Sequence, residues 1–335
     1  MSAALLLGTL CALGSLGAGA LATTPLTAPR TDWSDGSYQR GYEARFEGQL
    51  RTSRIAAETW AALRLAVFGE VAEGAVLGAD GWLFTEEEFA APETTRALCA
   101  EVARVAGLLG EHGTALMPVI VPDKARIMAE RLPRRRSPAF QGRYNAALAR
   151  LRAQGLPALD LRPVLDDLPK PFMRTDTHWS LEGARAVAAA VAETVRDLGI
   201  ALATVDPVHR QGVDAVFTGD LMVFADTGRW RDTVGPAPER IATYTTQIEA
   251  SGGLFGLDRL EVVLVGTSFS ARPDFHFAGF LKAALRADVL NLAQEGRGPF
   301  APMDEALAAL AELPTPPRLV IWEIPERYLA PGDLP

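Results

Sequence analysis

The sequence is poor in cysteine and histidine, with 2 cysteines and 4 histidines among 335 residues. Cys99 lies in a run whose apolar residues have helical spacing, so we expect it to be a small core residue. Cys11 lies in an uncharged stretch near the start of the chain. Two cysteines cannot form a zinc site by themselves. Any chemistry that needs a histidine must therefore use one of four side chains.

Basic residues are also few relative to acidic ones. The chain has 33 Lys and Arg against 41 Asp and Glu, and its net charge is −8. Proteins that bind nucleic acid contact its phosphates through an excess of Lys and Arg, so nucleic acid is not an expected partner. The short basic run at residues 134–136 lies near prolines on both sides and is interpreted as a solvated loop. Glycine patterns of dinucleotide-binding or phosphate-binding loops do not occur.

Charge is entirely missing from residues 2–22. This stretch is rich in Ala, Leu and Gly and ends in Ala-Leu-Ala, a pattern of small residues that suits signal peptidase. Its length would also just span a bilayer as an uncleaved anchor. We therefore expect residues 1–25 to be a signal peptide or membrane anchor that exports the protein. Residues 26–74 are predicted to form a linker and an N-terminal helical segment.

The rest of the chain alternates short apolar strands with amphipathic helices. Strands are predicted within residues 77–84, 115–122, 156–161, 260–266, 287–293 and 318–324, and helices at about 93–109, 139–154, 181–198, 277–285 and 304–313. This alternation predicts an α/β fold with a mostly parallel sheet flanked by helices. In such a sheet, functional residues gather at the carboxyl ends of the strands.

One strand end carries the sequence Leu-Val-Gly-Thr-Ser-Phe-Ser, residues 264–270. Its serines could simply cap the next helix, but Ser268 could also be a nucleophile. The motif Asp-Thr-His-Trp-Ser, residues 176–180, supplies partners, because residues i and i+2 of an extended segment point to the same side. Asp176 could then fix the tautomer of His178, and His178 could act as the general base. His276 is the reserve candidate for the base, whereas His112 and His209 are interpreted as structural residues in polar loops.

Several motifs together resemble a known family. Gly-Ala-Asp-Gly-Trp-Leu-Phe, Val-Ile-Val-Pro-Asp-Lys-Ala-Arg-Ile, Asp-Thr-His-Trp-Ser, Thr-Gly-Asp-Leu, Gly-Thr-Ser-Phe-Ser and Trp-Glu-Ile-Pro-Glu-Arg-Tyr-Leu occur in the order seen in alginate O-acetyltransferases of the AlgJ and AlgX type. The resemblance covers residues 46–329. It implies an SGNH-hydrolase-like catalytic domain, predicted at residues 75–335, in the bacterial periplasm, either secreted or tethered to the inner membrane. It also implies a triad of Asp176, His178 and Ser268 whose order is permuted, because the serine comes last.

The same resemblance implies a reaction through an acetyl-serine intermediate. Ser268 would accept acetyl, and a hydroxyl of an exported polysaccharide (alginate, cellulose or another exopolysaccharide) would then receive it. A membrane-bound O-acyltransferase is the expected acetyl donor, and no metal or soluble cofactor is expected. The amide of Ser268 and that of Gly219, in Thr-Gly-Asp-Leu, are the candidate oxyanion donors.

Two other functions compete with this interpretation. A carbohydrate acetyl esterase would use the same three residues with water as the acceptor. A non-catalytic polysaccharide-binding subunit of a secretion complex would need none of them. The intact set of Asp176, His178 and Ser268 argues against the second alternative and does not separate the transferase from the esterase.

Overall fold

The computed structural model describes residues 3–24, 36–49, 53–92, 96–248 and 260–330. The chain divides into two units. Unit 1 comprises Met1–Leu77 and Leu221–Ala237, and unit 2 comprises Gly78–Asp220 and Pro238–Pro335. Residues 25–35, at the junction of the predicted leader with the predicted linker and helical segment, lie outside the described residues. The division into leader, helical segment and catalytic domain stays a prediction.

Unit 1 is mainly helical. Its elements are α1 (Ala3–Thr23), α2 (Ser37–Gln49), α3 (Ser53–Leu63), a π-helical continuation over Arg64–Phe68, and the short strand β1 (Ala75–Leu77). Its small core consists of Ala62, Leu63 and Val234, against which Leu10, Leu65 and Trp230 pack. No helix in the described part of the chain combines the length and the hydropathy that crossing a membrane requires.

The second segment of unit 1, Leu221–Ala237, is attached to helix α3 by side chains. Trp230 donates from Nε1 to Thr59 Oγ1 at 3.1 Å, and Arg229 donates from Nε to the Glu58 carboxylate at 2.8 Å. Gly228 has a positive φ of 54°, and a Cβ at this position would lie 2.4 Å from the Glu58 side chain. Backbone conformation and close approach therefore both require glycine here.

Unit 2 contains the remaining strands and helices. In chain order they are β2 (Leu83–Thr85), α4 (Leu98–Gly110), β3 (Ala115–Val121), α5 (Lys124–Ile127), α6 (Pro138–Ala153), α7 (Arg162–Asp166), α8 (Leu181–Asp197), β4 (Pro207–Phe217), β5 (Glu239–Ile248), β6 (Val262–Val265), α9 (Ser268–Ala271), α10 (Phe277–Leu285), β7 (Val289–Asn291), α11 (Phe300–Ala311) and β8 (Leu319–Pro325).

The main sheet of unit 2 has the strand order β3-β8-β6-β7, and all its pairs are parallel. Every residue of β6 and β8 is buried, as parallel strands covered on both faces require. These observations confirm the predicted α/β fold with a mostly parallel sheet.

Helices α4, α6 and α11 contribute apolar faces to a core cluster in unit 2. The cluster also includes strand residues, and its members include Leu98, Cys99, Val102, Val105, Tyr144, Leu148, Met303, Val263, Val265, Val320 and Trp322. Cys99 is a buried free thiol in this core, which confirms the prediction for this residue. On helix α4 the spacing of three and four residues places these side chains on one face.

One predicted strand is absent, and one hairpin was not predicted. Residues 156–161 form no strand, because the Leu161 N–H donates to the Tyr144 hydroxyl at 3.1 Å instead of to a neighbouring strand. The polar stretch after α8 holds an antiparallel hairpin of β4 and β5, with an irregularity between Gln211 and Asp214. Helix α10 contacts both strands of this hairpin and helix α8.

The prediction of a solvated loop at residues 134–136 is wrong for Arg136. Arg134 and Arg135 are exposed, whereas Arg136 is buried. Arg136 donates from Nη2 to Asp123 Oδ2 at 2.6 Å, and Arg143 donates to the same oxygen. This ion pair between distant parts of the chain accounts for the burial of the guanidinium.

Candidate active site

Ser268 lies at the carboxyl end of strand β6, where the chain turns into helix α9. The helix cap is the preceding residue, because Thr267 Oγ1 accepts from the Phe269 N–H at 3.4 Å. The Ser268 hydroxyl is therefore not the cap and lies within hydrogen-bond distance of a histidine ring. A Cβ at Gly266 would lie 2.5 Å from Glu323 Oε2, so glycine is needed for the chain to pass this side chain.

A short hairpin-like segment before helix α8 carries the other two residues. Phe172 and Trp179 form an isolated antiparallel bridge, and the Met173 N–H donates to the His178 carbonyl at 3.0 Å. Ser180 caps helix α8 by accepting from the Gly183 N–H at 3.1 Å. The fully buried Trp179 anchors this segment. Asp176 and His178, which lie between the two bridge partners, are therefore held in one place.

Asp176, His178 and Ser268 form a continuous chain of contacts. His178 Nε2 lies 2.7 Å from Ser268 Oγ, and His178 Nδ1 lies 2.6 Å from Asp176 Oδ1. Asp176 and His178 are buried, whereas Ser268 is half-buried. The carboxylate on Nδ1 keeps the proton on that nitrogen, which leaves Nε2 as the acceptor facing the serine hydroxyl.

The Asp176 carboxylate is held from several directions. Oδ1 also accepts from the His178 N–H at 3.0 Å, and Oδ2 accepts from the Asp220 N–H at 2.8 Å and from Arg272 Nη1 at 3.3 Å. Burial alone would raise the pKa of Asp176, but the hydrogen bond and charge of His178 and the donating N–H groups lower it to about 2. Asp176 is therefore ionised at neutral pH and can stabilise a positive imidazolium.

A second carboxylate lies on the same side of the imidazole. Asp220 Oδ2 is 3.5 Å from His178 Nδ1, and Asp220 Oδ1 accepts from the Thr177 N–H at 2.7 Å. Burial and the negative charge of Asp176 raise the pKa of Asp220. Asp220 therefore lies beside Nδ1, whereas Asp176 makes the direct contact.

The imidazole of His178 is packed between aromatic rings. Its centroid lies 4.6 Å from that of Phe269 and 5.0 Å from that of Phe275. Trp179 meets Phe269 edge-on at 5.1 Å. These apolar walls fix the plane of the ring and limit the access of water to it.

Asp176, His178 and Asp220 are also the one cluster of three potential metal ligands in the described part of the chain, with ligand atoms within 4.8 Å of one another. Zinc lies about 2.0–2.2 Å from such ligands, which normally keeps neighbouring ligand atoms about 3 Å apart. The 2.6 Å between Nδ1 and Oδ1 fits a hydrogen bond better than a shared ion. The absence of a metal in the reaction stays a prediction.

Gly219 lies against the backbone of the segment that carries Asp176. A Cβ at Gly219 would be 2.1 Å from the Thr175 carbonyl oxygen and 2.7 Å from the Asp176 nitrogen. The close approach alone explains the glycine. The role of its amide as an oxyanion donor stays a prediction.

The other histidines occupy different positions. His276 Nε2 lies 2.8 Å from Thr246 Oγ1, and His209 Nδ1 lies 2.7 Å from the same hydroxyl. His209 belongs to strand β4 rather than to a polar loop, and His112 lies in an exposed turn. Because His276 Nε2 forms a hydrogen bond with the Thr246 hydroxyl, this nitrogen is not free to act on Ser268.

Two charged residues near the site were missed from the sequence. Lys124 is fully buried and donates from Nζ to the carbonyl oxygens of Leu83, Arg174 and Asp176 at 2.5, 3.1 and 2.9 Å. Glu323 is buried in strand β8 beside the Ser268 turn. A charged residue within an otherwise apolar buried strand was the available signal for Glu323. Lys124 offered only its position three residues after the last residue of strand β3.

Comparison with known proteins agrees with this geometry. Residues 75–326 match the family described as "SGNH hydrolase-like domain, acetyltransferase AlgX". The chain is 36% identical to the probable alginate O-acetylase AlgJ of Pseudomonas aeruginosa over 93% of this chain and 83% of that protein. It is 35% identical to the protein of the same name from Pseudomonas putida, over 96% of this chain and 87% of the relative.

Solved structures give the same result. The O-acetyltransferase domain of Pseudomonas putida AlgJ matches with a TM-score of 0.66 at 35% identity, covering 76% of this chain and 92% of that one. Pseudomonas aeruginosa AlgX matches with a TM-score of 0.61 at 25% identity, covering 75% of this chain and 61% of that one. Sequence and structure thus agree on the relationship, and the chain belongs to the AlgX family of SGNH hydrolase-like acetyltransferases.

Proposed function

We propose that this protein transfers acetyl groups to hydroxyls of an exported polysaccharide through an acetyl-serine at Ser268. The observation that carries the proposal is the chain of contacts from Asp176 through His178 to Ser268, with distances of 2.6 and 2.7 Å. The names of the relatives, alginate O-acetylases, favour alginate as the acceptor.

In the first half of the reaction, His178 Nε2 accepts the proton of Ser268 Oγ as this oxygen attacks the carbonyl carbon of an acetyl ester. The resulting oxyanion is stabilised by the amide of Ser268 and by a second donor, for which Gly219 is our candidate. When the intermediate collapses, the bond to the donor oxygen breaks and His178 returns the proton to that oxygen. Acetyl-Ser268 remains on the enzyme.

In the second half, a sugar hydroxyl replaces the donor. His178 Nε2 accepts its proton as the sugar oxygen attacks the acetyl carbon, and the bond to Ser268 Oγ then breaks. The proton passes from His178 to Ser268, which restores the enzyme. In both halves, ionised Asp176 stabilises the imidazolium that forms and keeps the ring oriented, as the third member of a serine triad does.

The acceptor decides between transferase and esterase. Water can also attack acetyl-Ser268, but a bound and oriented hydroxyl gains an effective molarity on the order of 10⁵ M or more. Modest binding of the polysaccharide is therefore sufficient for transfer to exceed hydrolysis. We further propose that a membrane-bound O-acyltransferase supplies acetyl on the periplasmic side, to which residues 1–25 would direct the protein.

A surrogate donor tests the covalent step. With 4-nitrophenyl acetate, the protein should release one burst of nitrophenol and gain one acetyl group on Ser268, detected by peptide mass spectrometry. The Ser268→Ala variant should show neither signal while unfolding at the same temperature as the wild type. Rapid acetylation or turnover by a folded Ser268→Ala protein would disprove the serine nucleophile.

The acceptor is tested by adding oligosaccharides to the acetylated enzyme. Oligomers of uronic acids, of glucose and of amino sugars form a panel, and we expect the uronic acids to accelerate deacetylation and to appear as acetylated sugars. Transfer to another oligosaccharide of the panel would change the proposed acceptor polysaccharide, but the protein would still be a transferase. If acetate is the product with every member and acetylated polysaccharide is deacetylated, the protein is an esterase.

A further inference from the structure

Glu323 lies on strand β8, the strand between β3 and β6 in the main sheet, and is fully buried. Its carboxylate accepts hydrogen bonds from the turn that carries Ser268. The Thr267 N–H donates to Oε2 at 2.8 Å, and Thr267 Oγ1 lies 3.1 Å from both carboxylate oxygens. Ser270 Oγ donates to Oε2 at 3.1 Å. The donors thus come from both sides of Ser268.

This carboxylate is costly to bury. Among the described residues, no Lys or Arg nitrogen forms a salt bridge with Glu323, unlike the neighbouring Glu326, which pairs with Arg126 and Arg143. Burial raises the pKa of Glu323 to about 7, although the N–H and O–H groups of Thr267 and Ser270 act in the opposite direction. An apolar side chain would suit a buried strand better, so packing alone does not explain a glutamate here.

We propose that Glu323 is a positioning residue that holds the Ser268 hydroxyl at the distance from His178 that acetyl transfer requires. This proposal rests on the function proposed above. In the ionised form, which the hydrogen bonds of Thr267 and Ser270 favour, the carboxyl group offers two oxygens that only accept, and three donors of this tight turn face them. A glutamine would place an NH₂ group toward these donors. The turn would then move, and a displacement of 1 Å at a reacting atom can reduce a rate about 100-fold.

Burst kinetics with 4-nitrophenyl acetate separate positioning from general stability. For Glu323→Gln we expect the burst rate to fall about 100-fold while its amplitude, which counts competent sites, stays near the wild-type value. Ile321→Val on the same strand is the matched control, since it weakens buried packing without touching the turn. Its burst rate should be unchanged. A Glu323→Gln protein with the wild-type burst rate would overturn the proposal, as would a loss of amplitude alone.

A second variant and a second measurement cover the other outcomes. Ser270→Ala removes one hydroxyl donor to Glu323 and leaves the Thr267 cap of helix α9 in place, so its burst rate should fall by less than that of Glu323→Gln. If Glu323→Gln does not fold, an unchanged rate in Ser270→Ala overturns the proposal. If the wild type shows no burst, the proposed function fails, and amide hydrogen exchange then decides about Glu323. The peptide that contains residues 266–270 should exchange at least tenfold faster in Glu323→Gln than in Ile321→Val, and equal exchange would overturn the proposal.

Discussion

Three histidines of unit 2 lie in aromatic surroundings, and two of them, His178 and His276, differ in their other neighbours. The ring of His178 lies 5.0 Å from Phe275 and has a carboxylate on one nitrogen and a serine hydroxyl on the other. The ring of His276 lies 5.2 Å from Phe280 and shares a threonine hydroxyl with a second histidine. Apolar packing is common to both sites, and only the first contains a negative charge in contact with the ring.

The charges decide what each imidazole can do. Burial, His209 and Arg185 together lower the pKa of His276 to about 4. A base that must hold a proton during a reaction cannot do so efficiently at neutral pH in such a place. At His178, buried and ionised Asp176 offsets the positive charge as it forms. The comparison shows that the carboxylate, rather than the aromatic pocket, makes a histidine suitable as a general base.

The sharpest test replaces each histidine with the same residue. His178→Asn should reduce the rate of acetyl transfer by roughly 10⁵–10⁶, because the proton acceptor is lost. His276→Asn should keep the rate within about threefold. Asparagine tolerates the positive φ of 52° at position 276, so this control keeps its backbone. The readout is the burst rate with 4-nitrophenyl acetate, and comparable losses in the two variants would remove the distinction between the two sites.

A weaker effect is expected from the two carboxylates that face His178. Asp176→Asn should lower the rate about 10⁴-fold, since the amide no longer stabilises the imidazolium or fixes its tautomer. Asp220→Asn should lower the rate about tenfold or less. Asp220 Oδ2 is 3.5 Å from His178 Nδ1 and does not take the place of Asp176 in the direct hydrogen bond. Single-turnover acetylation of both variants tests this order. A larger loss in Asp220→Asn would assign the orienting role to the wrong aspartate.

The smallest expected effect concerns stability in acid. The pKa of His276 is about 4 in the folded protein and 6.5 ordinarily, so the unfolded chain binds the proton first as the pH falls. Stability should therefore decrease between pH 6.5 and 4. The loss is about 1–2 kcal/mol, since the half-buried ring is partly screened by water. Urea unfolding of the wild type and of His276→Asn at these two pH values isolates this contribution. An equal loss of unfolding free energy between the two pH values in both proteins would contradict it.

The contacts among Asp176, His178 and Ser268 could be predicted because their signals are local in the sequence. Asp176 and His178 are two residues apart and precede a capped helix, and Ser268 directly follows a buried apolar strand. The parallel strands were recognisable because their residues are apolar without interruption. These features depend on neighbours in the chain, so a sequence pattern reports them directly.

What was missed depends on contacts between distant residues. Most of β4 is exposed, and β5 alternates between exposed and more buried residues, so neither strand has a continuous apolar run. Arg136 is buried because Asp123 neutralises it, and the Leu161 N–H is satisfied by the Tyr144 hydroxyl. Glu323 is matched by donors on a turn more than fifty residues earlier. No local pattern encodes these partners.

The passage of the chain through unit 1 between Asp220 and Pro238 has a consequence for dissecting the protein by truncation. A deletion of the residues before Gly78 removes Glu58 and Thr59, so Arg229 and Trp230 in the retained segment lose their partners. The residues on either side of segment 221–237 form hydrogen bonds within unit 2. The Asp220 N–H donates to Asp176, and the Glu239 carboxylate accepts from the Thr175 N–H. Closing a short loop between fixed ends costs little entropy. A minimal catalytic fragment should therefore replace residues 221–237 with a short glycine-rich linker as well as omit the amino-terminal part.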